Sequence, residues 1–143
     1  MQKVRDVMSS PVHVLQPDET VQEAAHWMKM LDIGWLPVCD GDRPCGALTD
    51  RDIALRVLAE RRTPREARVG DVMHPGLVCI REDQSLLQAA EEMSRHRLRR
   101  LPVVARTGRL VGIVSLGTLV RNLDPKISHL LIPAILRPPD PAA

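Results

Sequence analysis

The sequence contains no phenylalanine and no tyrosine, and tryptophan occurs only at Trp27 and Trp35. A packed interior must therefore be built from Leu, Val, Ile, Ala and Met. The same scarcity argues against single-strand nucleic-acid binding, which uses aromatic platforms for base stacking. Neither sign of charge dominates. The formal net charge is +2, too little to make an electrostatic case for a nucleic-acid partner. No apolar run approaches the roughly 20 residues needed to span a bilayer. The N-terminus, MQKVRDVMSSP, lacks the apolar stretch of a signal peptide. Cysteine is sparse and odd in number, at Cys39, Cys45 and Cys79, which fits reduced thiols rather than a disulfide framework. The expectation is a soluble, cytoplasmic chain with no membrane and no nucleic acid among its partners.

What is present suffices for a core. Hydrophobic residues make up 44% of 143 positions, enough for one domain or for two small halves that share an interior. The main signal is an internal repeat. Val4-Arg5-Asp6-Val7-Met8 returns 65 positions later as Val69-Gly70-Asp71-Val72-Met73. At the same offset Ala24, Ala25 and Met28 match Ala89, Ala90 and Met93, and Leu36-Pro37-Val38 matches Leu101-Pro102-Val103. Gly46 then matches Gly112 and Thr49 matches Ser115, at an offset of 66. The extra residue falls in a turn.

Each half reads as β-α-β-β-α. Residues 12–15 alternate as a short strand. Thr20-x-x-Glu23 and Ser85-x-x-Gln88 are capping boxes that open helices. The first helix is expected to turn Ala24, Ala25, Met28 and Leu31 to one face. Residues 36–39 and 45–49 form strands around the turn-forming run 40–44. Asp50 is placed to cap a second helix, with Ile53, Ala54, Val57 and Leu58 on its apolar side. The second half gives a strand over 101–105, a turn over 106–109, a strand to Val114 and a helix over about 116–123. Neither half can bury its small sheet alone. The expected fold class is therefore α+β: two intertwined β-α-β-β-α repeats packed sheet to sheet, helices outside. Pro133, Pro138, Pro139 and Pro141 predict an irregular, frayed end from Ile132 onward.

On these motifs the repeat resembles the CBS domain, and the tandem resembles a Bateman module. The marks are Asp-Val-Met at 6–8 and 71–73, Leu-Pro-Val at 36–38 and 101–103, and Gly-x-x-Thr/Ser ahead of each last helix. The run from Gly46 to Ile53 is similar to that of small stand-alone bacterial two-CBS proteins of the hypoxic response protein type, which adds a stress-response role as an expectation. The implied division is a first CBS domain over 1–59, a linker over 60–68, a second CBS domain over 69–123 and a C-terminal tail over 124–143. No kinase, channel, transporter or dehydrogenase segment accompanies the pair, so the module is expected to be the whole protein.

The resemblance also implies a homodimer and an adenosyl ligand in the cleft, either AMP, ADP, ATP or a related compound such as S-adenosylmethionine. It places Thr49 on phosphate and Asp52 on the ribose hydroxyls. His13, Val14 and Pro37 would form the adenine slot, partly through backbone. The alternative, in which Thr49 and Asp52 only cap a helix, stays open. In the second repeat Ser115 is kept but the aspartate position holds Thr118, which lacks the charge that grips a diol. At most one good site per chain is expected. Cations for phosphate are assigned to Arg99, whose counterpart in the first repeat is Gly34, and to Arg100 and Arg51. Arg95 and Arg97 are read as a solvated face.

Other features point to less. The five histidines, at 13, 26, 74, 96 and 129, show no ligand-like spacing, so no metal site is expected. No catalytic residue, Walker loop or paired carboxylate suggests an enzyme. Cys39 and Cys45 flank the first hairpin turn, which leaves a redox role conceivable beside the commoner buried thiol. Trp27 and Trp35 are read as core or dimer-contact residues. The expected function is a sensor that binds an adenine nucleotide, with no obligatory cofactor, and signals to an unknown protein partner. The alternative is a structural or interaction protein with vestigial pockets.

Overall fold

The computed structural model of the chain describes residues 2–137. Its helices are α1 Val4–Val7, α2 Val21–Leu31, α3 Asp50–Ile53, α4 Val69–Val72, α5 Leu86–His96, α6 Leu116–Asn122 and α7 Pro125–Leu136. A π-helical stretch, Ala54–Leu58, continues α3. The strands are β1 Trp35–Asp40, β2 Arg43–Thr49, β3 His74–Pro75, β4 Ile80–Arg81, β5 Arg100–Val104 and β6 Leu110–Ser115. They form two three-stranded sheets, β1-β2-β3 and β4-β5-β6. The architecture is α+β, as the sequence implies.

The compact units do not follow the sequence repeats. One unit is His13–Leu77, and the other joins the N-terminal segment through Val12 to the chain from Val78 onward. The leading Asp-Val-Met turn of each repeat is therefore built into the unit that holds the body of the other repeat.

In the His13–Leu77 unit, β1 and β2 form a hairpin whose register runs from Trp35↔Thr49 to Asp40↔Arg43. Gly41 takes the positive φ that the turn requires. The Gln16 side chain clamps that turn, donating to the Gly41 carbonyl and accepting from its N–H. β3 adds to β2 through Gly46↔Pro75 and Ala47↔His74. Gly46 is needed there, because a Cβ would stand 2.5 Å from the His74 carbonyl oxygen and 2.7 Å from the Met73 sulfur. The core joins Leu15, Val21, Ala24, Met28, Leu36, Val38, Leu48 and Val57 to Val69 and Val72 of the α4 turn.

The other unit repeats the plan. β4 runs parallel to β5, and β5 antiparallel to β6. Ser9 bridges Ile113, at the place that β3 takes in the first sheet. Gly112 admits the Met8 sulfur, which a Cβ would meet at 2.5 Å. Val4 joins Ile80, Leu86, Ala89, Ala90, Met93, Leu101, Val103, Val114 and Leu119 in this core.

Several expectations need correction. Residues 12–15 make no strand; Leu15 alone bridges Val38, with Leu15 N donating to the Pro37 carbonyl at 2.9 Å. On α2 the buried face is Val21, Ala24 and Met28, while Ala25 and Leu31 are exposed. The helix completes few turns, and one stripe suffices to cover so small a sheet. After β2 the N-cap is Thr49 rather than Asp50, and Ala54 and Leu58 face outward while Val57 is buried. The expected frayed end is a helix as far as Leu136. Asp124 caps it by accepting from Lys126 N at 2.8 Å. Pro125 stands in the first turn, where the missing N–H costs nothing. Leu131 and Ile135, one turn apart, pack on the core, and that burial outweighs the break expected at Pro133. Pro138, Pro139 and Pro141 lie outside the described residues.

Candidate functional site

The first repeat's candidate residues gather where β2 gives way to α3. Thr49 keeps extended backbone, with φ −115° and ψ 160°, while the next residue is helical. That reversal leaves backbone N–H groups without helical partners. The chain satisfies two of them reciprocally: Thr49 Oγ1 accepts from Asp52 N at 3.0 Å, and Asp52 Oδ2 accepts from Thr49 N at 2.9 Å. The capping reading of this pair is thus part of the geometry. It occupies only one carboxylate oxygen.

The other oxygen has partners that the sequence did not reveal. Asp52 Oδ1 lies 2.6 Å from His74 Nε2 and 3.9 Å from Arg56 Nε. The Asp52 side chain is only 6% exposed, whereas those of His74 and Arg56 are 54% and 46% exposed. Arg56 also donates to the Val72 carbonyl at 3.1 Å and approaches His74 Nδ1 at 3.4 Å. A guanidinium can only donate, so in the tautomer that pairs with Arg56 the Nδ1 atom accepts and Nε2–H is directed at Asp52. Arg56, His74 and Asp52 form one hydrogen-bonded chain that ends on a buried carboxylate. The signal was present in the repeat: His74 follows the second Asp-Val-Met as Ser9 follows the first.

The other first-repeat candidates are placed as follows. His13 is half-buried and its ring lies 4.3 Å from that of Trp27, tilted by 39°. Trp27 is 38% exposed and hence not a core residue. Val14 is half-buried, and Pro37 is buried in β1 with its carbonyl engaged by Leu15 N. Arg51 is exposed beside Asp52. A Cβ on Gly34 would stand 2.6 Å from the carboxylate of the exposed Asp50 side chain, which would have to turn aside.

Arg99, Arg100 and Ser115 belong to the other unit. Arg99 is exposed, and its carbonyl accepts from Leu116 N at 2.8 Å. Arg100 opens β5 opposite Ser115. Ser115 caps α6, accepting from Thr118 N at 3.2 Å, with the two hydroxyls 3.1 Å apart. Arg121 reaches the Thr118 hydroxyl at 3.4 Å. This junction copies the first one, with a hydroxyl in place of the carboxylate. Arg95 pairs with Glu92 at 2.7 Å on an exposed face, and Arg97 terminates α5 in the left-handed conformation.

No disulfide joins the cysteines. Burial raises the thiol pKa of Cys79, and burial together with the negative charge of Asp40 raises that of Cys45. Among the described residues no group of three or more His, Cys, Asp or Glu side chains could hold a metal ion. No helix among them is long and apolar enough to cross a membrane.

Two small sheets with matched strand–helix junctions, built by a duplicated sequence whose halves exchange their leading turns, define a tandem-repeat class. The CBS domain pattern matches residues 4–59 and again 69–125, and the chain belongs to the CBS-domain family. It is 43% identical over 122 residues to the CBS domain-containing protein YhcV of Bacillus subtilis, covering 85% of this chain and 86% of that one. It is 35% identical over 139 residues to Hypoxic response protein 1 of Mycobacterium tuberculosis, covering 96% of each. A crystal structure of Hypoxic Response Protein I with two coordinated zinc ions matches with a TM-score of 0.77 and 36% identity, covering 86% of this chain and 100% of that one. CBSX2 in complex with AMP matches with a TM-score of 0.70 and 30% identity, covering 83% and 93%.

Proposed function

We propose that the chain is a regulatory module, not an enzyme, that binds AMP, ADP, ATP or a related adenosyl ligand at the β2–α3 junction of the His13–Leu77 unit. It signals occupancy to a protein partner, as a homodimer in the cytoplasm. The observation that carries this reading is the state of Asp52. Its carboxylate is buried and held by its own cap, yet one oxygen points to a half-exposed contact that a ligand can replace. A ribose diol needs such an acceptor, and a buried, pre-oriented one binds it best. The Thr49 hydroxyl lies beside it for phosphate. His13 and Val14 offer the adenine edge, because the Pro37 carbonyl is already engaged. Similarity to a relative crystallised with AMP supports the ligand class.

Calorimetric titration of ligand-free protein with AMP, ADP and ATP tests the reading. Asp52→Asn removes the charge but keeps the shape, and should weaken binding by about 10- to 100-fold. Within this unit phosphate charge is assigned to Arg51; an Arg51→Ala variant that binds AMP as tightly as the parent removes that residue from the site. A second reading, a structural pair with vestigial pockets, is favoured by Thr118 and by the internal partners of Asp52. Under it, no nucleotide shifts the melting temperature of the folded, ligand-free protein even at millimolar concentration.

A further inference from the structure

The carboxylate assigned to the ribose already has an occupant. His74 Nε2 stands 2.6 Å from Asp52 Oδ1, on the side of the carboxylate that the cap leaves unused. A ribose diol needs a clear approach to that oxygen, because Oδ2 already accepts from Thr49 N and is turned into the cap. Oδ1 can accept more than one hydrogen bond, but the side chain is only 6% exposed and the imidazole already stands against it, so a ribose must compete for the approach. The imidazole does not sit there by accident of exposure. β3 pairs with β2 at Ala47↔His74, which fixes the backbone, and Arg56 braces the ring from its far side at Nδ1. Arg56 is in turn anchored on the Val72 carbonyl.

We propose that His74, braced by Arg56, is a self-inhibitory latch on the nucleotide site, and that ligand binding and the His74–Asp52 bond exclude one another. The proposal rests on the adenosyl reading of the site. It adds that the protein competes with its own ligand, which sets the concentration at which it responds. It also supplies an output. His74 lies in β3 shortly before the chain leaves this unit at Leu77, so displacement of the ring by ligand acts on the segment that connects the units.

The latch divides the protein into closed and competent populations, and apparent affinity scales with the competent fraction. A hydrogen bond from a half-exposed imidazole to a buried carboxylate holds the closed form at roughly 80–90%. Removing the ring should therefore tighten binding about five- to tenfold. His74→Ala leaves the backbone pairing of β3 in place. His74→Gln carries an amide N–H that can stand in for Nε2–H, and should restore near-parental affinity.

The experiment is calorimetric titration of the full, ligand-free chain with AMP and with adenosine, for the parent, His74→Ala, His74→Gln and Asp52→Asn. It is accompanied by imidazole NMR of His74 without ligand. The latch predicts tighter binding for His74→Ala with both ligands, rescue by His74→Gln, and a His74 ring signal that moves when Asp52 becomes Asn. Equal or weaker binding by His74→Ala overturns it and makes the ring a ligand contact or a bystander. A His74 signal indifferent to Asp52→Asn overturns the latch while leaving the adenosyl reading intact. Absence of binding in the parent and in every variant overturns the adenosyl reading itself, and the latch with it.

Discussion

Gly46→Ala isolates the packing that ties the second Asp-Val-Met turn to the first repeat. The new methyl would stand 2.5 Å from the His74 carbonyl oxygen, 2.7 Å from the Met73 sulfur and 3.2 Å from Met73 Cγ. The thioether can turn aside. The carbonyl cannot, because Gly46↔Pro75 and Ala47↔His74 hold β3 against β2. Overpacking of this kind costs about 1–3 kcal/mol. Gly46 shows no positive φ, so alanine fits the backbone and gains about 0.4–1 kcal/mol through the unfolded chain. The net loss is about 1–2 kcal/mol, a fall in melting temperature of roughly 3–8 °C for a chain of this length. Differential scanning calorimetry measures it. Gly112→Ala should behave alike, since its methyl would meet Met8 Sδ at 2.5 Å and the Ser9 carbonyl oxygen at 3.0 Å. A melting temperature equal to or above that of the parent, in either variant, refutes the claim that these glycines exist to admit the exchanged turns.

Thr118→Asp supplies the carboxylate that the second junction lacks and can close the box with Ser115 as Asp52 does with Thr49. Titration should then show the AMP stoichiometry rise from about one per chain toward two, and an unchanged stoichiometry counts against the carboxylate as the deciding group. Ser128 is buried and its hydroxyl finds no partner among the described residues, so Ser128→Ala should raise the urea midpoint, by about 0.5–1 kcal/mol of stability; a lowered midpoint would mean that the hydroxyl is satisfied. Because the thiol pKa values of Cys45 and Cys79 are raised, both groups stay protonated at neutral pH. Alkylation by iodoacetamide should be slower than for free cysteine at pH 7 and accelerate only well into the alkaline range. Rapid labelling of the native protein at pH 7 would contradict the burial that raises them.

Much of the fold was legible because it rests on local rules. A hydroxyl three residues before a helix-forming polar partner specifies a cap, and Thr20 and Ser85 accept from the expected backbone N–H; the same rule puts the caps of α3 and α6 at Thr49, where Asp50 was expected, and at Ser115. The hairpin turns also fell where Gly and Asp predicted them. The candidate site was legible in part for the same reason: Thr49 and Asp52 sit close in sequence, and one helical turn brings them together. The repeat marks the position of His74 but not its partner, since it meets Asp52 from 22 positions away through a strand of two residues. Metal-ligand spacing carries no mark of an imidazole paired with a single carboxylate.

The sequence by itself determined the duplication, the two hairpins, the caps of the long helices α2 and α5 and the inequality of the two junctions, because each follows from residue identity over a few neighbours. Only the tertiary structure decided which partner each surface took. The turn Val4–Val7 must bury Val4 and shelter Val7, but its own pattern does not say against which sheet. Gly46 and Gly112, by leaving room for Met73 and Met8, settle that. The same holds for Pro125–Leu136, which propensity reads as broken and which burial of Ile135 makes a helix. Local preferences are worth about a kilocalorie each, and a buried core contact outweighs them.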